Sequence, residues 1–255
     1  MHELKRSPFR RKLSDHLVED IKRWIVIQGL KPGDRLPKER ELIELYGCAK
    51  GTVREALKAL EVEGLVTMRT GPTGGAYVAE PGANQAARAL RNYLHFQKLD
   101  GHQIYQLRKL VEVEVAAAAV GRLTEGHFRD LEASIELCDR IGYERDGQRE
   151  LRIAELNFHN LLADVCPNPL LQFMVHFIND LLRDLVDLKK TYRPQRIQFG
   201  EDNRYYHRRL LEAFRAEDES AVRRLMHEHM CNSEHHTTAL EAEVTQSFLL
   251  GFDEE

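Results

Sequence analysis

The chain has 255 residues, of which 42% are hydrophobic and 31% charged, which is typical of a soluble globular protein with one large domain or two ordinary ones. It contains no apolar run near the roughly 20 residues that a membrane span needs. The basic start, MHELKRSPFRRKLSDHL, has no hydrophobic stretch behind it, which argues against a secretory signal. Four scattered cysteines without a CxxC pair fit a reducing cytoplasm better than a disulfide framework or a cysteine zinc site.

The net charge of −4 hides an asymmetry between the two ends of the chain. Residues 1–80 carry 15 Lys and Arg against 12 Asp and Glu, a net of +3, and the remainder carries 22 against 29, a net of −7. A basic front end on an acidic body indicates that a polyanionic partner docks at the front.

The first 80 residues predict three helices followed by a hairpin. The first helix has apolar residues at a helical spacing, at Leu13, Leu17, Ile21 and Ile25. After the turn KPGDRLP come two shorter helices, KERELIELYG and KGTVREALKALEVEG, which stop at Gly47 and Gly64. The segments LVTMR and AYVAE then flank TGPTGG, which predicts a hairpin with a glycine-rich tip. Two short helices and a hairpin make a winged helix-turn-helix domain, 1–80.

The rest of the chain predicts only helices, so the fold class is mostly α. Pro81 and Gly82 mark the predicted boundary, and an all-helical domain of six or seven helices follows over 85–250. The expected helices lie near 85–97, 101–122, 124–141, 148–165, 168–190, 200–216 and 218–243.

The second short helix has the pattern of a DNA-reading element. It has an apolar side made of Val53, Ala56, Leu57 and Leu60, and a polar side made of Lys50, Thr52, Arg54 and Lys58. Lys and Arg at a helix N-terminus reach phosphate oxygens or guanine edges in the major groove. The alternative is that these charges form only a solvated face.

The segment PGDRLPKERELIELYGCAKGTVREALKALEVEGLV resembles the N-terminal domain of the GntR family of bacterial transcriptional regulators, from about Leu13 to Val78. The resemblance implies that the DNA contacts are Arg40, Lys50, Gly51, Thr52, Arg54 and Gly71. Two residues depart from the family pattern, because Ala49 and Lys50 stand where a hydroxyl residue and an arginine are usual. Lysine lacks the bidentate fork of arginine, which changes the expected base preference there. Cys48 replaces a common valine and is expected in the core.

One acid and three histidines lie on apolar helical faces in the second part. Glu155 and His159 are four residues apart in AELNFHNLL, His207 shares a face with leucines in RYYHRRLLEAF, and His229 shares one with Leu225 and Met226. Three imidazoles and a carboxylate suit Zn²⁺, Ni²⁺, Mn²⁺ or Fe²⁺. The alternative is that each is a buried polar residue satisfied by its neighbours.

The second part is similar to the all-helical ligand-binding domain of the FadR subfamily, called FCD, in the segments QLRKLVEVEVAAAAV, AELNFHNLLADVCPNPLL and YYHRRLLEAFRAEDESAVRRLMHEHM. The resemblance implies a divalent metal site, with zinc foremost, made of Glu155, His159, His207 and His229. Glu155 departs from the usual aspartate. The resemblance to the FCD domain also implies a small carboxylate effector that binds against the metal, with Arg108 paired to the effector's carboxylate. An ion pair of Arg108 with Glu112 or Glu114 is the alternative. Asn203 and Asn232, one helical turn from His207 and His229, are further candidate effector contacts.

The leading hypothesis is a homodimeric transcription factor that reads a palindromic DNA operator and is released from it by the carboxylate ligand. One rival is a metalloenzyme that uses Glu155 as a general base. Against it, no separate nucleophile or acid–base motif accompanies the cluster, so no catalytic residue is assigned. A second rival is a regulator whose metal is purely structural.

Overall fold

A computed structural model of the chain describes residues 12–97, 99–141, 148–188 and 196–238. Those residues form ten helices and one two-stranded sheet, so the mostly helical fold predicted from periodicity is confirmed. Backbone proximity divides the chain into two compact units, Met1–Ala89 and Leu90–Glu255. Within the described ranges no helix combines the length and the apolar character that crossing a membrane requires.

The first unit is a helix-turn-helix followed by a hairpin. Its elements are α1 (Leu13–Ile27), α2 (Glu39–Tyr46), α3 (Lys50–Val62), β1 (Val66–Arg69) and β2 (Gly75–Val78). Gly47 ends α2 in a left-handed conformation with φ +58°, which glycine adopts without strain, and α3 begins three residues later. The two strands are antiparallel, with Val66 opposite Val78 and Arg69 opposite Gly75.

The core of the first unit lies between α1, α3 and the hairpin. The predicted apolar side of α3 is buried, as is Cys48. Leu13, the first residue of α1, is exposed, so the helical spacing extended the expected buried face one turn too far. This core holds α3 with its polar side exposed to solvent.

The second unit is built around a central helix. Its helices are α4 (Ala83–His95), α5 (Gly101–Ala119), α6 (Glu125–Ile141), α7 (Gln148–Val165), α8 (Pro169–Leu188), α9 (Arg196–Arg215) and α10 (Glu219–Thr238), where α4 begins in the first unit. Helix α5 packs against α7, α8 and α10, while α9 packs against α6 and α10. Helices α7 and α10 thus lie against α5, and α9 lies against α10.

The predicted helices agree with the observed ones to within four residues at the described ends. Helix α5 ends at Ala119, three residues early, because Val120 leaves the helical conformation and Gly121 turns left-handed with φ +70°. The predicted ends of the helices 168–190 and 218–243 lie outside the described residues. The domain limits 1–80 and 85–250 remain a prediction, and the junction of the two compact units falls within α4.

Candidate functional site

Three buried histidines meet in the second unit. His159 on α7, His207 on α9 and His229 on α10 are each no more than 3% exposed. Their Nε2 atoms lie 3.4 Å (His159–His207), 3.2 Å (His207–His229) and 3.3 Å (His159–His229) apart. They form the one group of three or more candidate ligand side chains that converges in the described residues. The separation of three tetrahedral ligand nitrogens, each 2.0–2.1 Å from an ion, is about 3.3 Å, so the residues fit a metal ion.

Burial keeps these imidazoles in the form that binds metals. It lowers the pKa of His207 and of His229 well below the usual histidine value, and neighbouring imidazoles and guanidinium groups lower both further. Burial also lowers the pKa of His159, against the opposing effect of Glu112. Neutral imidazole is the species that coordinates a metal, so the cluster needs no deprotonation step at neutral pH.

Glu112 on α5 fixes the orientation of His159. Its Oε2 lies 2.9 Å from His159 Nδ1, which leaves His159 Nε2 directed at the other two imidazoles. Burial disfavours the carboxylate, but His159 and Arg108 outweigh burial and lower the pKa of Glu112 to about 2. The sequence indicates Glu112 only as a partner for Arg108, and its contact with His159 is not apparent from the sequence.

Arg108 is fully buried and forms the ion pair with Glu112 that the sequence offers as the alternative to effector binding. Its Nε and Nη2 donate to Glu112 Oε1 at 3.0 and 2.7 Å, and its Nη1 donates to the Tyr105 hydroxyl at 3.3 Å. The fork of the guanidinium that faces Glu112 is therefore occupied.

Glu155 is buried on α7 but is not among the three converging ligands. Its Oε2 accepts a hydrogen bond from Arg152 Nη1 at 3.4 Å. Arg152 also donates from Nη2 to the Tyr105 hydroxyl at 3.2 Å, and its guanidinium lies 5.0 Å from the Phe199 ring centre. Sequence reasoning missed Arg152 and Tyr105, although the spacing of Arg152 and Glu155 indicates a helical ion pair.

The two asparagines lie on the helices of His207 and His229. Asn203 is buried and accepts a hydrogen bond from Ser233 Oγ at 3.4 Å. Asn232 Nδ2 donates to Asp202 Oδ2 at 3.2 Å, while Asn232 Oδ1 is buried without a hydrogen-bond partner. His236 also contacts Asp202, at 2.9 Å, so this histidine belongs to a polar cluster beside the three-histidine group and not to the group itself.

The residues predicted to contact DNA are exposed or half-buried on the first unit. Lys50, Gly51, Thr52 and Arg54 lie in the first two turns of α3, Arg40 lies on α2, and Gly71 lies in the hairpin turn with φ +96°. Glu39 accepts two hydrogen bonds from Arg54 Nε, at 3.1 and 3.0 Å, and lies 3.7 Å from Lys50 Nζ. Two of the predicted cations therefore share one carboxylate.

The hairpin carries a further pair that the sequence analysis missed. The guanidinium of Arg69 lies 4.2 Å from the ring centre of Tyr77. Tyr77 is diagonal to Arg69 on the other strand, because Tyr77 pairs with Thr67 and Arg69 pairs with Gly75. The Tyr77 hydroxyl donates to Thr73 O at 2.6 Å. These contacts order the glycine-rich tip of the hairpin.

The first unit is a winged helix-turn-helix, and the second is a helical unit that buries a cluster of three histidines. This combination in one chain is typical of a one-component DNA-binding regulator. Residues 13–78 match the model of bacterial regulatory proteins of the gntR family, and residues 103–232 match the model of the FCD domain. The chain belongs to the GntR family and carries an FCD domain. It is a ligand-responsive DNA-binding transcriptional regulator, so the metalloenzyme hypothesis is wrong.

Relatives with described functions are regulators as well. The chain is 35% identical over 153 residues to the HTH-type transcriptional regulator LutR of Bacillus subtilis (strain 168), covering 60% of this chain and 68% of that protein. It is 27% identical over 242 residues to the HTH-type transcriptional repressor NanR of Enterobacter sp. (strain 638), covering 89% and 86%. A solved structure of Streptococcus agalactiae GntR aligns with a TM-score of 0.55 and 20% identity over 88% of this chain and 99% of that one, which shows the shared fold.

Proposed function

We propose that this regulator is a cytoplasmic, zinc-containing repressor whose affinity for its operator falls when a small carboxylate binds beside the metal. The observation that supports the metal is the triangle of Nε2 atoms, with sides of 3.2 to 3.4 Å. Tetrahedral zinc ligands would be about 3.3 Å apart, whereas adjacent nitrogens of a regular octahedron would be about 2.9 Å apart at the same bond length. This spacing fits tetrahedral coordination, the geometry that zinc adopts in most protein sites.

In this proposal His159, His207 and His229 hold the ion, and Glu155 supplies the fourth ligand. Glu112 keeps His159 in the tautomer that presents Nε2, because its carboxylate accepts from Nδ1. A bound zinc would act as a Lewis acid, and it would take a carboxylate oxygen by expanding from four ligands to five. Arg108, Asn203 and Asn232 remain the proposed effector-site residues, and Arg108 contributes positive charge while its fork holds Glu112.

The DNA contacts are proposed to be Arg40, Lys50, Gly51, Thr52, Arg54 and Gly71. Their exposure on α2, α3 and the hairpin tip supports this assignment. A homodimer would present two such surfaces to a palindromic operator. Repression is supported by the relatives that carry the name of repressor.

The ligand can change operator affinity only if it binds the DNA-bound and DNA-free arrangements with different affinities. In this proposal the carboxylate releases the protein from the operator. It must therefore bind the DNA-free arrangement more tightly than the DNA-bound one. A purely structural metal is the competing proposal, in which neither metal nor carboxylate changes operator affinity.

The test combines metal content with DNA binding. A duplex is first selected from random sequence by the wild-type protein, and the variant His207→Ala/His229→Ala is compared with His227→Ala, a control that removes an exposed imidazole from the same helix α10. Elemental analysis should find about one zinc per chain in the wild type and the control and none in the double variant. Full metal retention by the double variant contradicts the ligand assignment. Gel shifts with organic and sugar acids then separate an effector site from a structural metal.

A further inference from the structure

The hairpin of the first unit has one buried face and one exposed face. Val66, Ala76 and Val78 belong to the core of that unit. Successive side chains of a strand point to opposite faces of a sheet, so Arg69 and Tyr77 lie on the other face. On that face Arg69 is exposed and Tyr77 is half-buried. The hairpin therefore presents polar side chains to solvent along its outer face.

The turn before α2 adds a second arginine to this face. Leu36 N donates to Ala76 O at 2.9 Å, and Arg35 pairs with Tyr77 in an antiparallel bridge. The guanidinium carbons of Arg35 and Arg69 lie 5.8 and 4.2 Å from the centre of the Tyr77 ring. Tyr77 thus lies between two arginines, one from the turn and one from β1.

The ring and the two arginines are held in place by the tip of the hairpin. The Tyr77 hydroxyl donates to Thr73 O at 2.6 Å, and Arg35 Nη2 donates to Gly74 O. Arg69 contacts the ring through the face of its guanidinium, and a stacked guanidinium keeps the N–H groups along its edge available. In the described residues no oxygen accepts a hydrogen bond from that guanidinium. Arg69 is therefore positioned while its donors remain free.

The hairpin arginines differ from the cations of α3 in their acidic neighbours. Glu39 lies 3.0 Å from Arg54 and 3.7 Å from Lys50. Across the ranges that the structure describes, Arg35 and Arg69 form no ion pair with a carboxylate. Their positive charge is not compensated locally, so the outer face of the hairpin attracts a polyanion more directly than α3 does.

We infer that Arg69 is a phosphate anchor, which binds the sugar–phosphate backbone of DNA regardless of sequence, and that Tyr77 is its positioning residue. This inference rests on the proposed DNA-binding surface of the first unit. A guanidinium offers two parallel N–H donors to a phosphate. An arginine that reads the minor groove extends into it, whereas Arg69 is held against the sheet by the Tyr77 ring.

The two sets of cations then have different roles. Contacts to phosphate fix the position of a protein on DNA, and contacts to base edges specify the sequence. Arg69 contributes affinity for every duplex, and Arg54 contributes the preference for one of them. Ordering of Arg69 before DNA binds lowers the entropy that its immobilisation would cost in the complex.

The anchor is tested by titrating the full chain with the selected duplex and with an unrelated duplex of equal length, at several salt concentrations. Arg69→Ala should weaken binding to both duplexes by the same factor. It should also reduce the slope of log affinity against log salt by about 0.9 for each hairpin that engages the DNA. Arg23→Ala, which removes an exposed arginine from α1, is the control and should leave the slope unchanged. An unchanged slope for Arg69→Ala overturns the inference, and so does a loss confined to the selected duplex, since that loss indicates base reading.

The role of Tyr77 is tested with Tyr77→Leu, which keeps the charge of Arg69 but removes the ring. Affinity for both duplexes should fall about 2- to 5-fold while the salt slope stays that of the wild type. Tyr77→Phe keeps the ring and should retain more of the affinity than Tyr77→Leu. Wild-type affinity in a folded Tyr77→Leu variant overturns the positioning role. The Arg69→Ala test is independent of this variant, because it removes an exposed side chain.

Failure of the DNA-binding surface itself gives a different result. Arg54→Ala should lower affinity mainly for the selected duplex, whereas Arg69→Ala should leave the ratio of the two affinities unchanged. If neither variant changes binding to either duplex, the proposed surface is wrong and the anchor is overturned with it. If Arg54→Ala lowers affinity and Arg69→Ala keeps the wild-type slope, only the anchor is refuted.

Discussion

Replacing Glu112 by glutamine is expected to damage both the stability of the second unit and its metal affinity. The substitution keeps the size of the side chain but removes the negative charge that Arg108 contacts at 2.7 Å. Both side chains are at most 2% exposed, so water cannot replace the lost partner.

The magnitude follows from that burial. Removing one member of a buried ion pair costs about 3–5 kcal/mol, because the remaining charge is left uncompensated. The pKa of Glu112, which His159 and Arg108 lower to about 2, agrees in direction, since both neighbours favour the charged carboxylate. A natural domain has only about 5–15 kcal/mol of stability, so the loss is a large fraction of the total. Loss of the carboxylate partner of His159 should also weaken zinc binding by about 10- to 100-fold.

The assay is urea unfolding of metal-free protein followed by circular dichroism. Glu114→Gln is the matched control, because Glu114 lies two residues away on α5 in an exposed pair with Arg223, and loss of such a pair costs ~1 kcal/mol or less. The double variant Arg108→Met/Glu112→Leu should recover much of the stability, since it removes both charges. A Glu112→Gln variant that unfolds at the same urea concentration as Glu114→Gln would refute the reasoning.

Two further predictions concern DNA binding and metal removal. Arg54→Ala should lower the affinity for the selected duplex about tenfold or more, because it removes a cation from the exposed side of α3. The circular dichroism spectrum should stay unchanged. Unchanged affinity in a gel-shift titration would show that α3 is not part of the DNA interface. Chelation of the metal should lower the melting temperature of the wild type but not of His207→Ala/His229→Ala, because a bound metal stabilises only the folded state that binds it. An equal shift in both proteins would show that the metal binds outside the three-histidine group.

The elements that the sequence predicts well are those whose signals are local. The buried side of α3 follows from the spacing of Val53, Ala56, Leu57 and Leu60, and Gly47 ends α2 through a backbone conformation that favours glycine. The inward faces of His159, His207 and His229 were predicted in the same way. Their convergence needed the resemblance to a family, because no local pattern specifies how three helices pack.

The site residues that the sequence does not reveal depend on contacts between helices that are far apart in the sequence but packed together in the fold. His159 meets Glu112, and Arg152 meets Tyr105, across 47 residues in each case. Such pairs are set by the relative position of α5 and α7, which periodicity within one helix does not encode. Arg108 shows the opposite case, since its pairing with Glu112 is a four-residue spacing that the sequence already displays.

The carboxylate of Glu39 beside Arg54 and Lys50 has a consequence for how the protein searches a chromosome. In the proposed DNA complex these two cations would contact DNA, so any stretch of DNA would have to displace the Glu39 carboxylate before they are available. That cost is the same for every sequence and therefore lowers the background of indiscriminate binding, while a true target recovers it through contacts with its base edges. An acidic side chain in the proposed DNA-binding surface would thus lower nonspecific DNA binding.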